Sequence, residues 1–134
     1  MQLTDKIKFI PRRKIKDSRG WFLKAIDGHE ENLPQHTGEI YITVAEPLQA
    51  KGGHYHNKAQ EWFTLLTGTC TVKLQDVVSG ETKEFTLDQD DAQTLYVAPS
   101  VAHIFINKSA KESFILLAYT DVLYDPADTI MYKF

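Results

Sequence analysis

Turn signals recur about every 8 to 12 residues along this chain, and the runs between them are short and rich in β-branched and aromatic residues. No window carries an amphipathic helical period of useful length. Lys6 to Ile10, Trp21 to Ile26, Glu39 to Ala45, Trp62 to Leu66, Thr69 to Leu74, Lys83 to Leu87, Thr94 to Val97, His103 to Asn107 and Phe114 to Thr120 read as strands. Ser18-Arg19-Gly20, Thr67-Gly68, Ser79-Gly80-Glu81 and Ala98-Pro99 read as breaks between them, and Glu30 to Gly38 and Asp88 to Asp91 as polar loops. After Asp121 a turn at Asp125-Pro126-Ala127-Asp128 marks a tail that can wrap the body. About nine or ten such strands predict an all-β protein, either a sandwich or a barrel.

The 134 residues suffice for one domain with one core, residues 1–134. A net charge of −3 gives no case for nucleic acid as the main partner. The dense basic run Pro11-Arg12-Arg13-Lys14-Ile15-Lys16 reads as a solvated strand edge. No apolar run approaches the roughly 18 residues of a membrane span, so no membrane partner is expected. Asp5 and Lys6 interrupt any apolar leader, and the single cysteine, Cys70, forbids an internal disulfide. A cytoplasmic protein is the expectation. Cys70, between two threonines, reads as a buried or half-buried strand residue rather than a nucleophile.

Chemistry concentrates in Gly53-His54-Tyr55-His56-Asn57-Lys58-Ala59-Gln60-Glu61. On a strand, His54 and His56 face the same way, because side chains alternate with period two. If Glu61 opens the next strand after a short turn, its carboxylate reaches that face too. Two imidazoles and a carboxylate in one cavity can hold a metal or exchange protons. His103, with Asn107 four residues later, supplies a distant partner. A double-sheet jelly roll with a cavity between the sheets accommodates these residues. An immunoglobulin-type sandwich does so less well, since nothing in it calls for an inward His-x-His strand.

These residues resemble the two short motifs of the cupin superfamily. His54, His56, Glu61 and Gly68 match the first from its histidines onward, with Leu48 where its opening glycine would stand. His103 and Asn107 match the second, with Ala98 and Ser100 where proline and glycine would stand. A closer resemblance is to the cupin sugar 3,4-ketoisomerases that act on dTDP-4-keto-6-deoxyglucose. It is carried by Tyr41-Ile42-Thr43-Val44, Gly52 to His56, Leu66 to Cys70, Leu95 to Pro99 with His103, and the ending from Thr120 to Asp125. Asp17-Ser18-Arg19-Gly20-Trp21-Phe22 is similar in these enzymes and in the dTDP-4-dehydrorhamnose 3,5-epimerases.

The resemblance implies a cupin-type jelly roll and an isomerase of a dTDP-linked 4-keto-6-deoxy sugar, serving a surface polysaccharide or a glycosylated metabolite, with no cofactor. It implies His54 as base, His56 as second proton carrier, and Tyr41 and His103 at the sugar. Arg19 would clamp the diphosphate, and Trp21 or Phe22 would stack on the thymine or pack in the core. It also implies a homodimer, often with an N-terminal strand exchanged between subunits. Histidine suits the chemistry, since it can take or deliver a proton near neutral pH.

Two departures keep other readings open. The ketoisomerases compared do not usually carry Glu at the position of Glu61, whereas metal cupins do. His54, His56, Glu61 and His103 therefore also make a ligand set for one divalent transition metal, as in a dioxygenase or a metal-assisted isomerase. The epimerases tend to have Gln where His56 stands, and a tyrosine acid in the register of Leu117. A non-catalytic sugar-binding cupin is the third reading. His29 and His36 sit in polar loops and read as exposed, and Asn107 as a partner of backbone groups.

Overall fold

A computed structural model describes residues 1–134. After a single helical turn, Leu3–Lys6, the strands are β1 (Ile7–Pro11), β2 (Lys14–Asp17), β3 (Gly20–Leu23), β4 (Ile40–Ala45), β5 (Ala50–Tyr55) and β6 (Glu61–Thr67). They continue as β7 (Thr69–Asp76), β8 (Thr82–Asp88), β9 (Gln93–Val97), β10 (Val101–Ile106), β11 (Phe114–Thr120) and β12 (Ile130–Met131). Two five-stranded sheets, ordered β1-β9-β6-β11-β4 and β12-β5-β10-β7-β8, face each other, and β2 and β3 pair only with one another. Every pairing is antiparallel. This is the jelly roll expected from the strand pattern.

The core lies between the sheets. Phe63, Leu65, Leu95, Phe114 and Leu116 from one meet Val72, Leu74, Leu87, Val101 and Phe105 from the other, all buried. Alternation along each strand sends these residues inward. Cys70 is fully buried among them, and that burial pushes its thiol up to about 12, which removes it as a nucleophile. Asn107 donates from Nδ2 to the carbonyls of Ala45, Glu46 and Glu112, tying the loop after β10 to the end of β4.

Three local outcomes differ from the sequence expectation. The strand beginning near Trp21 ends at Leu23 rather than Ile26, and the following segment to Glu39 is irregular. It is held by single contacts, such as the indole of Trp62 donating to the Asn32 carbonyl at 2.9 Å. The basic run spans the end of β1 and most of β2, and three of its four charges are engaged: Arg12 with Glu30, Lys14 with the Gln89 carbonyl, Lys16 with Asp90. Leu48 and Ser100, which stand where the two motif glycines would be, are the two non-glycine residues with positive φ, at 63° and 66°. The left-handed conformation there is imposed by the fold and not by the residue, at a cost of about 1 kcal/mol each.

Candidate active site

Strand pairing brings the histidines together. His103 on β10 is in register with His54 on β5, and β12 lies on the other side of β5 with Met131 opposite His54. The β5–β10 register shifts just after His103, opposite Gly52. Gly52 has φ +93°, and a Cβ on it would sit 2.9 Å from the His103 carbonyl, so only glycine permits this approach. His56 follows the end of β5, and Glu61 opens β6 after a four-residue turn. The rings of His54 and His56 are 5.0 Å apart between centroids, as are those of His54 and His103. Both His54 and His56 line a cavity of about 320 Å³, with Tyr41, Glu61 and residues of the C-terminal tail such as Val122 and Tyr124.

Glu61 is the hub. Its Oε1 lies 3.2 Å from Nε2 of His56 and 3.2 Å from Nε2 of His103, and its Oε2 accepts from the Tyr41 hydroxyl at 3.4 Å. The residue is 2% exposed. Burial alone would raise its carboxyl, but His103 and His56 outweigh that and hold it well below the usual carboxylate range. Burial and the Glu61 charge push the Tyr41 phenol upward, so it stays protonated.

The two cavity histidines are shifted in opposite directions. Nδ1 of His56 lies 2.8 Å from the Asp128 carbonyl oxygen. A carbonyl can only accept, so Nδ1 carries hydrogen. Nε2 lies 3.2 Å from the Glu61 carboxylate, a contact that favours the charged imidazole. Burial opposes this charge, but the hydrogen bond and charge of Glu61, with Asp128, raise the His56 imidazole above its ordinary value. His54 is the reverse case. Burial first, and then His103, hold it down at about 4, leaving a neutral imidazole facing the cavity.

His103 is placed otherwise than expected. It is 1% exposed, packed on Phe63 and Phe105, and stands behind Glu61 rather than on the main cavity. Its Nδ1 lies 3.0 Å from the Val101 carbonyl, and its Nε2, though close to Glu61, has no aligned hydrogen-bond partner. Nitrogens of His54, His56 and His103 lie within 4.8 Å of one another, and Glu61 is beside two of them. This donor set fits one divalent transition metal.

Arg19 and Trp21 do not reach this cavity within one chain. They sit on the β2–β3 hairpin, which joins neither main sheet, and with Phe22 line a separate hollow. The Arg19 side chain is 88% exposed and bonds Asp17 at 2.7 Å. Lys14 lies over the Trp21 ring at 4.3 Å. No Lys or Arg lines the histidine cavity. Residues that sequence reasoning missed are Asp128 and Glu39. Asp128 comes from the 3₁₀ turn Pro126–Asp128, and Glu39 accepts the backbone N–H of Tyr124, fastening the tail across the opening. The Asp-Pro turn was the only sequence signal for the first, and nothing local marks the second.

Residues 15–132 match the family described as Polysaccharide biosynthesis C-terminal domain. The chain is 33% identical over 124 residues to the TDP-4-oxo-6-deoxy-alpha-D-glucose-3,4-oxoisomerase of Aneurinibacillus thermoaerophilus, covering 92% of this chain and 84% of the relative. It is 26% identical over 129 residues to the spore coat polysaccharide biosynthesis protein SpsL of Bacillus subtilis (strain 168), with the same coverage of 92% and 84%. In structure it resembles a dTDP sugar isomerase from Desulfovibrio desulfuricans G20, with TM-score 0.86 at 20% identity, over 95% of this chain and 83% of the other. That likeness extends the jelly-roll assignment over nearly the whole chain. On the family match and the 33% identity together, this protein belongs to the polysaccharide biosynthesis C-terminal domain family.

Proposed function

We propose that this protein is an isomerase of a dTDP-linked 4-keto-6-deoxy-hexose, a 3,4-ketoisomerase or an epimerase, working by proton transfer between histidines. The observation that carries the reading is the pair of imidazoles on one cavity, 5.0 Å apart between centroids, with His54 held down at about 4 and His56 raised by Glu61 and Asp128. Groups whose surroundings push them apart in this way divide acid from base. The relative from Aneurinibacillus, named as a 3,4-oxoisomerase, supports the substrate class.

A 4-keto sugar has an acidic C3–H. His54 removes that proton while the Nε2–H of His56, shared between Glu61 and the sugar, protonates the carbonyl oxygen, giving a neutral enediol and leaving Nδ1–H on the Asp128 carbonyl. For ketoisomerisation the 3-hydroxyl then loses its proton to His56, now neutral, and C4 receives one from His54, now charged. Both histidines end as they began, and the carbonyl has moved to C3. Epimerisation needs in addition an acid on the opposite face of C3, with the 4-hydroxyl returning its proton to His56 and His54 releasing its proton to solvent. General acid–base catalysis of this kind contributes about 10²–10⁴-fold. Tyr41, held protonated, is placed to hydrogen-bond a sugar oxygen.

A nucleoside diphosphate needs a cation that this cavity lacks. In a homodimer, Arg19 and Trp21 of a second copy would supply the diphosphate clamp and the stacking surface, which explains why both are exposed here. The exposed Ile15, Trp21 and Phe22 on the hairpin favour such an assembly. The reading places the protein in the cytoplasm, where Cys70 stays a thiol.

The test is incubation with dTDP-4-keto-6-deoxyglucose in deuterated water. Deuterium is expected at C3 of recovered substrate or of an epimer, or at C4 of a 3-keto product, and the absence of both label and a new keto sugar would sink the proposal. Tight binding without exchange or turnover would mark a sugar-binding module instead. The unaligned Nε2 of His103 favours a second reading, in which His54, His56, Glu61 and His103 hold a divalent metal. The ion would supply Lewis acidity toward a sugar oxygen. Metal analysis of protein purified without chelator, paired with activity after chelation, separates the two.

A further inference from the structure

Asp128 touches the site in two ways at once. Its carboxylate accepts the backbone N–H groups of Asn57, Lys58 and Ala59 at 2.8, 3.2 and 3.3 Å. These three residues are most of the turn between His56 and Glu61. Its backbone carbonyl accepts from Nδ1 of His56 at 2.8 Å. The side chain is not solvent-facing, since the residue is only 6% exposed.

The segment that carries Asp128 is fixed on both sides. Asp125 accepts the N–H of Ala127 at 2.9 Å and starts the 3₁₀ turn, and β12 then pairs with β5 at Ile130–Tyr55 and Met131–His54. Ser100 donates to the His56 carbonyl at 2.7 Å from a third direction. A carboxylate that only capped the turn would have no need to aim its own carbonyl at the ring. The two contacts together set where the turn runs, which nitrogen of His56 bears hydrogen, and which nitrogen faces Glu61.

We propose that Asp128 is a positioning residue: its carboxylate pins residues 57–59, and its carbonyl locks His56 with Nδ1 protonated and Nε2 turned to Glu61. This rests on the proton-transfer reading above. The C-terminal tail is thereby a working part of the site and not only its cover.

The test combines NMR of histidine-labelled protein with steady-state kinetics of Asp128→Asn and Asp128→Ala, using dTDP-4-keto-6-deoxyglucose. In the unaltered protein, Nδ1 of His56 should be protonated, hydrogen-bonded and slow to exchange. In the variants that signature should broaden or shift. By analogy with the partners that orient metal-ligating histidines, whose loss costs about 10- to 100-fold, kcat should fall in that range with KM little changed. An unprotonated Nδ1 in the unaltered protein overturns the proposal, and this result needs no variant to fold. So does a fall in kcat with the His56 signals unmoved, a loss confined to KM, or no loss at all. If the unaltered protein turns over none of the sugar, the isomerase reading fails on its own, while the His56 signals still decide whether Asp128 positions the ring.

Discussion

Oε1 of Glu61 lies 3.2 Å from Nε2 of His56, both in side chains that are almost sealed from solvent. Burial lowers the His56 imidazole, but a charged carboxylate at that distance outweighs burial and raises it. In Glu61→Gln the amide keeps the shape and loses the charge. Single-turnover deuterium exchange at C3 should slow by about 10²-fold, the lower end of what general acid catalysis contributes. Exchange at the parent rate would remove Glu61 from the mechanism.

The pH dependence follows from two opposed shifts. His54 must be neutral, and its imidazole is held at about 4, so the acid limb should fall only as pH drops toward about 4. His56 must be charged, and its imidazole is raised, so activity should decline as pH rises past a value above the ordinary 6.5. Glu61→Gln should move the alkaline limb to lower pH and, because the Glu61 charge also raises the His54 imidazole, shift the acid limb downward as well. A profile of kcat/KM against pH for both proteins checks this. An alkaline limb below 6.5 in the unaltered protein would contradict it.

His54→Asn removes the base while keeping a polar side chain of similar reach. Deuterium incorporation at C3 should drop by about 10²–10⁴-fold with nucleotide-sugar affinity retained. Calorimetric titration with dTDP distinguishes lost chemistry from lost binding.

Arg19→Ala tests the clamp. A hydrogen bond to a charged group is worth about 1.5–3 kcal/mol, so KM for the nucleotide sugar should rise by roughly 10- to 100-fold. An unchanged KM would return Arg19 to the role it has within one chain, an exposed partner of Asp17.

Leu48→Gly should stabilise the protein by about 0.5–1 kcal/mol, because φ 63° strains leucine and suits glycine, less the extra chain entropy glycine loses on folding. Ser100→Gly should gain less, since Ser100 Oγ also accepts from Lys6 at 3.1 Å. Urea midpoints at constant m-value measure both. A lower midpoint for Leu48→Gly would show that leucine packing outweighs the backbone strain.

The sequence carried the fold and the heart of the site because both depend on local period. Alternation at His54 and His56 puts two imidazoles on one face whatever the rest of the chain does. Four intervening residues are a turn, and so Glu61 opens β6 facing inward. The placements that sequence did not determine are those set by distant segments. Asp128 meets His56 across 72 residues, and Tyr41 meets Glu61 across 20. No local pattern encodes such meetings; burial and His103 lower the His54 imidazole, while Glu61 and Asp128 raise that of His56. Arg19 shows the reverse limit: the motif around it was readable, but where it acts depends on what the β2–β3 hairpin packs against, which is a tertiary or quaternary matter. The residues themselves determined a β-sandwich with a histidine pair facing its interior. Only the folded arrangement decided which imidazole is lowered and which is raised, because such shifts follow burial and neighbouring charge rather than residue type.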